Sequence, residues 1–290
     1  MSAKITIGIP TFKRPDLLKR ALNSFIHESI KDNLEIKVIV SVDGIDEKYN
    51  QYKDLEKSFE SFDFLKFIFH RKNIGSLKNF YFLIDECKTE YFMWLADDDE
   101  INYSTIRAMY EKLSTSDAIT IVPYWELVNS LGSKKIIKPT FFESQSLLRR
   151  VINYLKDSDD AFFYGLHKTK FIKKCEFNNY WWPNKKILSN WCYVFQFDII
   201  MQGKVIFLNN EKYKWTNHDY GEKFYPRATT QKIFKYIAYF IRRINIFYFY
   251  LSKIIKWKKY KLIIILIPFL LIFFIRDTFF NRPIYNRIKF

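Results

Sequence analysis

A short apolar run that ends in four acidic residues places the strongest constraint on the fold. Residues 91–96 have the sequence YFMWLA, and Asp97, Asp98, Asp99 and Glu100 follow directly. The apolar run predicts a buried strand, and open α/β sheets bind ligands outside the carboxyl ends of their strands. Adjacent carboxylates repel one another, and a hard divalent cation that joins them to substrate phosphates relieves that repulsion. We therefore predict a metal and diphosphate site here, with a solvated acidic turn as the alternative.

Strand and helix patterns alternate through the first hundred residues. The predicted strands are mostly apolar and cover residues 5–10, 35–42, 64–69 and 91–96. The predicted helices lie between them, over residues 15–29, 46–62 and 77–87. This alternation predicts a mostly parallel, doubly wound α/β sheet. Beyond it we predict helices over residues 102–113 and 147–155, a strand over residues 118–125, a basic loop over residues 132–140 and a polar break at residues 157–160.

Every loop with unusual polar residues follows one of these predicted strands. The loops are residues 11–14, Asp43, residues 73–75 and residues 97–99. Since the carboxyl ends of parallel strands share one edge of a sheet, we expect the four loops to converge on a nucleotide pocket with a metal at its rim. The chain contains neither GxGxxG nor GxxxxGK(S/T), so it lacks the phosphate cradles of a Rossmann dinucleotide site and of a P-loop.

Four motifs in this order resemble the family-2 inverting glycosyltransferases of the GT-A fold. They are IGIPTFKR at residues 7–14, VSVDG at residues 40–44, NIG at residues 73–75 and LADDD at residues 95–99. The WLADDDE form is most similar to the branch that builds bacterial O-antigen and capsule, including abequosyltransferase-like enzymes. The resemblance implies a nucleotide-sugar-binding half over residues 1–125 and an acceptor-binding half over residues 126–230.

The resemblance also implies a role for each matched residue. The nucleotide would be lined by Pro10, Thr11, Arg14, Asp43, Asn73, Gly75, Asp97 and Asp98. Within this set Asp43 would hydrogen-bond the base, although an Asp at that position also suits a structural turn. Asp99 would be the main ligand of Mn2+ or Mg2+, with Asp97 on the metal or the ribose, which makes residues 97–99 a DXD motif. The cation would neutralise the charge that develops on the leaving nucleoside diphosphate.

Inversion requires a general base that takes the proton from the acceptor hydroxyl. In the resembling enzymes an Asp or Glu stands before or within a late helix that ends in Gly. The matching stretch here, residues 188–204, has Asn190 at that position. Because an amide cannot act as a base, Asp198 on the same predicted helix becomes a candidate, although it equally suits a solvated or capping residue. Asp159 and Asp160 are further candidates.

Two histidines and an aromatic cluster complete the set of candidate residues. His218 lies in a late segment that in the resembling enzymes approaches the metal or the diphosphate, and it is our third candidate catalytic residue. His167 is instead predicted to be an ordinary half-buried histidine. The cluster YWWP at residues 180–183 is either part of the core or a flat platform on which a sugar stacks.

The basic charge of the chain is concentrated in its last sixty residues. Residues 231–290 hold 13 Lys or Arg and one Asp, a net charge of +12 out of the total of +16. Residues 262–275 form a run of 14 uncharged apolar residues. A spanning helix needs about 20 residues, so this run favours insertion at an anionic membrane surface, with a dimerising helical hairpin as the alternative. Single-stranded nucleic acid, which basic aromatic patches also bind, does not account for so long an apolar run.

Cysteine usage and the start of the chain predict the compartment. Cys87, Cys175 and Cys192 are scattered and form no CxxC, which is typical of a reducing environment. A strand pattern begins at residue 5, so we expect no signal peptide. These features predict a peripheral protein on the cytoplasmic face of the bacterial inner membrane.

The combined prediction is an α/β protein of the GT-A fold with a helical, membrane-associating segment at residues 231–290. Its reaction would be the inverting transfer of a sugar from a nucleotide-sugar to a hydroxyl of a lipid-linked glycan in bacterial surface polysaccharide synthesis. A nucleotide-sugar phosphodiesterase and a transferase that acts on a lipid alcohol are enzymatic alternatives. Because Asn190 stands where an acid is expected, a catalytically weak GT-A scaffold in a glycan-assembly complex is another. Nucleic acid is not an expected partner.

Overall fold

A sheet of nine strands organises the part of the chain that the structure describes. This computed structural model describes residues 3–30, 34–128, 134–137, 143–157, 161–176, 191–216, 248–264, 266–268 and 271. The strands are β1 (Ile5–Thr11), β2 (Ile36–Val42), β3 (Leu65–Phe69), β4 (Tyr91–Trp94), β5 (Glu100–Ile101), β6 (Thr120–Val128), β7 (Lys134–Ile137), β8 (Leu166–Lys168) and β9 (Val205–Thr216). Their order is β3-β2-β1-β4-β8-β6-β9-β5, and β7 pairs with β6.

Helices connect and cover these strands. They are α1 (Pro15–Asn23), α2 (Ile26–Ser29), α3 (Tyr49–Ser58), α4 (Ser76–Glu86), α5 (Tyr103–Thr115), α6 (Leu147–Asp157), α7 (Thr169–Ile172) and α8 (Trp191–Gln202), with a 3₁₀ turn at Ala161–Tyr164. Helix α1 begins at Pro15, whose missing N–H costs nothing in a first turn. Leu18 and Leu22, one turn apart, are both buried and fix this helix on the sheet.

The first half of the sheet is parallel, as the alternating pattern predicts. Strand β1 lies between β2 and β4, and β3 lies outside β2, with all three pairs parallel. Every residue of β1 is buried. A continuous apolar strand is typical of a parallel sheet whose two faces are both covered by helices. The carboxyl ends of β1, β2 and β4 therefore open onto one edge.

The second half of the sheet is mixed. Strand β8 is antiparallel to both β4 and β6, whereas β9 runs parallel to β6. Strand β5 pairs with β9 in antiparallel fashion, with Glu100 opposite Lys214 and Ile101 opposite Tyr213. Because β5 begins at Glu100, the last acid of the run, this pairing brings the late strand β9 beside the predicted metal and diphosphate site.

Three local predictions differ from the structure. The helix predicted over residues 15–29 is divided into α1 (Pro15–Asn23) and α2 (Ile26–Ser29). Residues 134–137, inside the predicted basic loop, form β7, because they pair with β6 from Val128 opposite Lys134 to Trp125 opposite Ile137. The helix predicted over residues 46–62 is shorter, since only Tyr49–Ser58 is helical. At its start the Asp46 carboxylate accepts the Lys48 backbone N–H at 2.8 Å, a local hydrogen bond that competes with helix formation.

Apolar side chains form a core on each face of the sheet. One core holds Ile7, Leu18 and Met93, and the other holds Trp94, Phe163 and Phe195. The second core also takes up side chains from residues 250–266, in the basic C-terminal segment. No helix in the described part of the chain has both the length and the apolar character needed to cross a membrane.

Candidate active site

The acid turn, residues 96–99, follows β4 at the predicted edge of the sheet. The backbone N–H of Leu95 still donates to Gly8 in β1 at 3.1 Å, and the N–H of Asp99 then donates to the Ala96 carbonyl at 3.2 Å. Asp97 and Asp99 are each 2% exposed, whereas Asp98 between them is only half-buried. The turn therefore places two carboxylates inside the protein and one at its rim.

Arg14 joins the loop after β1 to the acid turn. One guanidinium nitrogen lies 2.8 Å from Oδ2 of Asp98, and the other lies 3.4 Å from Oδ1 of Asp97. The side chain is 39% exposed, so its charge also faces the solvent side of the site. The structure thus brings Arg14, Asp97 and Asp98 together, which the sequence predicts from their position after neighbouring strands.

Asp97 is buried and incompletely hydrogen-bonded. Burial raises the pKa of Asp97 to about 7, which Arg14 opposes and the negative charge of Asp98 reinforces. Its Oδ2 atom has no hydrogen-bond partner among the described residues. A buried polar atom without a partner is costly, and a cation or a substrate hydroxyl would satisfy it.

Asp99 is held by a tyrosine from the late strand β9. The Tyr213 hydroxyl donates to Oδ2 of Asp99 at 2.9 Å and accepts the backbone N–H of Ala96 at 3.3 Å. Burial raises the pKa of Tyr213 well above its usual value, so the hydroxyl keeps its proton and remains a donor. Sequence reasoning missed Tyr213, because nothing in the pattern of residues 205–216 shows that this segment pairs beside the acid turn.

Asp97 and Asp99 fit a hard divalent cation. Mg2+ and Mn2+ prefer carboxylate oxygens, and a site that substrate phosphates complete needs only one or two of them. Two buried carboxylates on one turn, one with an unsatisfied oxygen in the described structure, meet this requirement. Within the ranges that the structure covers, no cluster of three or more His, Cys, Asp or Glu side chains forms a complete metal site.

Asp43, at the end of β2, holds the loop that contains Asn73 and Gly75. Its two carboxylate oxygens accept the backbone N–H groups of Ile74 at 2.6 Å and of Gly75 at 3.2 Å. Asp43 therefore stabilises the loop as a structural residue, which is one of the two roles predicted for it. Gly44 has φ +99°, and a Cβ there would lie 2.9 Å from the backbone nitrogen of Asn73, so only glycine fits this approach.

Two buried hydrogen-bond networks stabilise the carboxyl ends of β1 and β2. The Thr11 hydroxyl lies 2.8 Å from the hydroxyl of Tyr52, which also accepts the Arg14 backbone N–H at 2.9 Å. In the neighbouring strand Ser41, opposite Pro10 in the sheet, donates its hydroxyl proton to Oδ1 of Asn79 at 2.5 Å. These buried contacts fix the backbone that carries Pro10, Thr11 and Arg14. Tyr52 and Asn79 were not among the predicted site residues, since each lies on a helix without a recognisable motif.

Asp198, a candidate base, lies in a different environment. It is fully buried on α8, with Oδ2 2.7 Å from the Lys253 ammonium and Oδ1 accepting the Trp257 indole N–H at 2.5 Å. The Glu176 backbone N–H donates to the same carboxylate at 3.2 Å. This geometry gives Asp198 a structural ion pair and does not present it to an acceptor hydroxyl. The remaining candidates, Asp159, Asp160, Asn190, His218 and residues 180–183, lie outside the described residues.

His167 has the environment of a structural histidine, as predicted, but is fully buried. Its Nε2–H donates to the Phe163 carbonyl at 3.0 Å, and Nδ1 then accepts the Thr120 hydroxyl at 2.9 Å. Burial lowers the pKa of His167 to about 4, so the ring is neutral near pH 7. With both nitrogens occupied, His167 ties β8 to β6.

Comparison with known structures identifies proteins of similar fold. S. aureus TarS 1–349 aligns with a TM-score of 0.55 at 14% identity, over 73% of this chain and 60% of that one. TarS 1–349 in complex with UDP-GlcNAc aligns with a TM-score of 0.58 at 14% identity, over 83% of this chain and 66% of that one. The mannosyltransferase PcManGT from Pyrobaculum calidifontis, in complex with GDP-Man and Mn2+, aligns with a TM-score of 0.53 at 12% identity, over 88% of this chain and 65% of that one.

At identities of 12–14% these similarities show the fold alone. The chain spans less than two thirds of the length of each of these solved chains. No curated protein sequence matches this chain. A family model described as Glycosyl transferase family 2 matches residues 6–165, which is more than half of the chain and includes the acid turn. The chain therefore belongs to glycosyl transferase family 2 and has the GT-A fold.

Proposed function

We propose that this protein transfers a sugar from a nucleotide-sugar donor to a hydroxyl, with inversion at the anomeric carbon. The observation that carries the proposal is the acid turn, where two buried carboxylates, Asp97 and Asp99, stand at the carboxyl end of β4. A GT-A sheet binds its ligand at this edge. The nucleotide would lie along the loops that hold Pro10, Thr11, Asp43, Asn73 and Gly75, with Asp98 at the rim.

The structural neighbours support this choice of donor and metal. TarS 1–349 has been solved in complex with UDP and in complex with UDP-GlcNAc. The mannosyltransferase PcManGT has been solved with GDP-Man and Mn2+. We propose that this chain likewise takes a nucleoside diphosphate sugar together with Mn2+ or Mg2+.

In this mechanism Asp97 and Asp99 would hold the divalent cation, with Asp99 as the main ligand. When bound, the cation would neutralise the negative charge that develops on the leaving diphosphate. The chain's own residues prepare the site for that charge. Tyr213 orients the Asp99 carboxylate, and Arg14 holds Asp97 and Asp98 while its partly exposed guanidinium adds positive charge at the rim. Burial of the two carboxylates keeps bulk water away from them.

The proton of the acceptor hydroxyl must go to a general base. Because Lys253 and Trp257 hold Asp198, we place the base among Asp159, Asp160 and His218. Asn190 remains on the acceptor side in this proposal, as a hydrogen-bonding residue, since an amide cannot accept the proton.

We further propose that the acceptor is a lipid-linked glycan of a bacterial surface polysaccharide such as O-antigen or capsule. The enzyme would lie on the cytoplasmic face of the inner membrane, attached peripherally through residues 231–290. The net charge of +12 in that segment supports attraction to anionic lipid. A membrane-bound acceptor and a membrane-attached enzyme would meet at the same surface.

Nucleotide release from a panel of nucleotide-sugars tests this function. The assay contains lipid-linked acceptor extract with Mn2+ or with EDTA, and compares wild type with Asp99→Ala. Asp63→Ala, which changes an exposed acid outside the acid turn, is the matched control. We expect Mn2+-dependent release with one donor, lost in Asp99→Ala and retained in Asp63→Ala. Absence of release and of thermal stabilisation with every donor would overturn the catalytic proposal and favour a GT-A scaffold.

A further inference from the structure

A buried ion cluster fixes the C-terminal helix, residues 248–256, to the catalytic domain. Lys253 is 1% exposed and Asp198 is fully buried, and their charged atoms lie 2.7 Å apart. The Lys253 ammonium also donates to the Glu176 carbonyl at 3.1 Å. A buried charge pair is stable only when its remaining hydrogen-bonding capacity is satisfied, and here it is satisfied from both sides of the interface.

The same cluster receives two further side chains from the C-terminal segment. The Trp257 indole N–H donates to the second carboxylate oxygen of Asp198, at 2.5 Å. The Lys256 ammonium donates to the Lys174 carbonyl at 2.6 Å and pairs with Glu176 at 3.1 Å. Trp257 directly follows the helix, and its backbone N–H donates to the Lys253 carbonyl at 2.9 Å, so the two side chains lie on the same face.

Apolar packing extends this face. Tyr250 stacks on Phe197 of α8 with ring centroids 4.3 Å apart, and its ring meets Tyr154 of α6 at 6.1 Å. Ile254 is fully buried beside them. The buried positions 250, 253 and 254 and the partly buried position 257 follow the three- and four-residue spacing of one helical face. This part of the C-terminal segment is therefore packed against the rest of the domain as an integral element of its core.

Beyond Trp257, the C-terminal segment carries a stripe of solvent-exposed apolar side chains. The helix of residues 248–256 ends just before Lys258. The φ of Lys258 is +53°, and the chain changes direction there before the helical residues 261–264. There Leu262 and Leu266, one turn apart, are buried in the domain core. The exposed apolar side chains are Tyr260, Ile264, Ile267 and Leu271, which are spaced by four, three and four residues. Ile264 is the most exposed of them, at 76%.

Exposed lysines border this stripe. Lys258, Lys259 and Lys261 are all exposed. We refer to these lysines and the apolar stripe together as the tail surface. A contiguous apolar stripe with basic neighbours is typical of a helix that lies in the interface of an anionic bilayer. A second copy of the chain fits less well, because a symmetric contact through this stripe would draw three exposed lysines from each copy into or beside one apolar interface, where lysine is depleted.

We propose that the tail surface binds an anionic lipid bilayer, and that Asp198 is the positioning residue that holds this surface in a fixed orientation on the catalytic domain. The proposal deepens the proposed membrane partner and rests on it. Lipid binding is read directly, without turnover, so a failure of this proposal is distinguishable from a failure of the transferase reaction. The consequence for function is that the acid turn would meet its membrane-bound acceptor at a set angle to the bilayer.

Cosedimentation of the full chain with vesicles tests the lipid partner. Vesicles of phosphatidylglycerol mixed with phosphatidylcholine are compared with phosphatidylcholine alone. Ile264→Glu places an acid in the stripe, and a triple Lys→Gln variant removes the charges of Lys258, Lys259 and Lys261. Ile30→Glu, at an exposed isoleucine that directly follows α2 and lies outside the C-terminal segment, is the matched control.

Wild type and Ile30→Glu are expected to bind only the anionic vesicles. Burial of one isoleucine predicts that Ile264→Glu weakens binding by about tenfold or more. The contribution of each basic residue near such a surface predicts a loss of about a hundredfold for the triple variant. Equal binding of Ile264→Glu and wild type, no binding to anionic vesicles, concentration-dependent dimerisation through the stripe, or preferential binding of an oligonucleotide would each overturn the proposal.

A charge-removal cycle tests the role of Asp198. Asp198→Asn should leave the buried Lys253 charge with only the largely exposed Glu176 carboxylate, 3.5 Å away, as its partner, and should increase hydrogen exchange over residues 248–256. Combining it with Lys253→Gln removes both charges and should restore protection of the helix and the orientation-dependent turnover on membranes. A general base could not be rescued in this way. Normal protection in Asp198→Asn, or a double variant that is fully protected yet inactive, would contradict the positioning role.

Discussion

Asp97 and Asp198 are both buried carboxylates, yet their surroundings differ in one respect that separates a ligand site from a structural one. Oδ2 of Asp97 has no hydrogen-bond partner in the described part of the chain, and burial raises the pKa of this group to about 7. Both oxygens of Asp198 are occupied, by Lys253 and by Trp257. The comparison teaches that burial alone does not mark a functional acid. An unsatisfied buried oxygen at the carboxyl end of a strand is the stronger marker, because a ligand or an ordered water has to complete it.

The largest effect is expected where the satisfied carboxylate is removed. Asp198→Ala leaves the buried Lys253 ammonium with only the largely exposed Glu176 carboxylate, 3.5 Å away, as a counter-charge, and should lower the free energy of unfolding by about 3 kcal/mol. Urea denaturation followed by fluorescence measures the change. A midpoint equal to that of wild type would show that the ion pair is not a structural element.

The reverse pattern is expected for the unsatisfied carboxylate. Asp97→Asn keeps the shape of the side chain but removes its charge, and should reduce metal-dependent nucleotide release by about 10²–10³-fold. The free energy of unfolding should not fall, because an uncharged amide is easier to bury than a carboxylate. Steady-state release and urea denaturation are measured on the same preparation. A stable variant with wild-type activity would remove Asp97 from the site.

His167 extends the comparison to a buried group that carries no charge. Its folded pKa of about 4 lies below the ordinary value of 6.5, so the unfolded chain binds the extra proton first as the pH falls. Its contribution to stability is complete above pH 6.5 and is lost progressively towards pH 4, by roughly 3 kcal/mol. His167→Gln should flatten the unfolding free energy over this pH range relative to wild type. Parallel pH profiles of the two proteins would contradict this assignment.

A smaller effect is expected for the tyrosine that orients Asp99. Tyr213→Phe removes one hydroxyl that donates to Oδ2 of Asp99 and keeps the ring that stacks on Trp125. Outer contacts of metal ligands change affinity or activity by about 10–100-fold, and we expect a loss in this range. Mn2+ titrations of activity should show a higher half-saturating concentration, and the melting temperature should fall by a few degrees because the Ala96 N–H also loses its acceptor. An unchanged titration would exclude a positioning role for Tyr213.

The parallel half of the fold and the acid turn could be predicted from the sequence because their signals are local. Continuous apolar runs define β1, β2 and β4, and polar loops follow them directly. The order of these loops along the chain is enough to bring Arg14 and Asp97 to one edge.

The rest depends on contacts between distant segments. Strand β9 contains the polar sequence NNEKYK, and only its pairing with β6 and β5 makes it a strand that delivers Tyr213 to Asp99. The role of Asp198 is set by Lys253, fifty-five residues further along the chain. Neither relation leaves a periodic or motif signal, so sequence reasoning could choose Asp198 only by its place on a helix.

Calorimetric binding of Mn2+ and a nucleoside diphosphate tests the central claim most directly. The comparison uses wild type, Asp99→Ala and the double variant Asp198→Asn with Lys253→Gln, each with UDP and with GDP. Our account predicts that wild type and the double variant bind one of the nucleotides in a Mn2+-dependent manner, and that Asp99→Ala does not. Binding to Asp99→Ala as tight as to wild type, or loss of binding in the double variant while its helix remains protected, would contradict it.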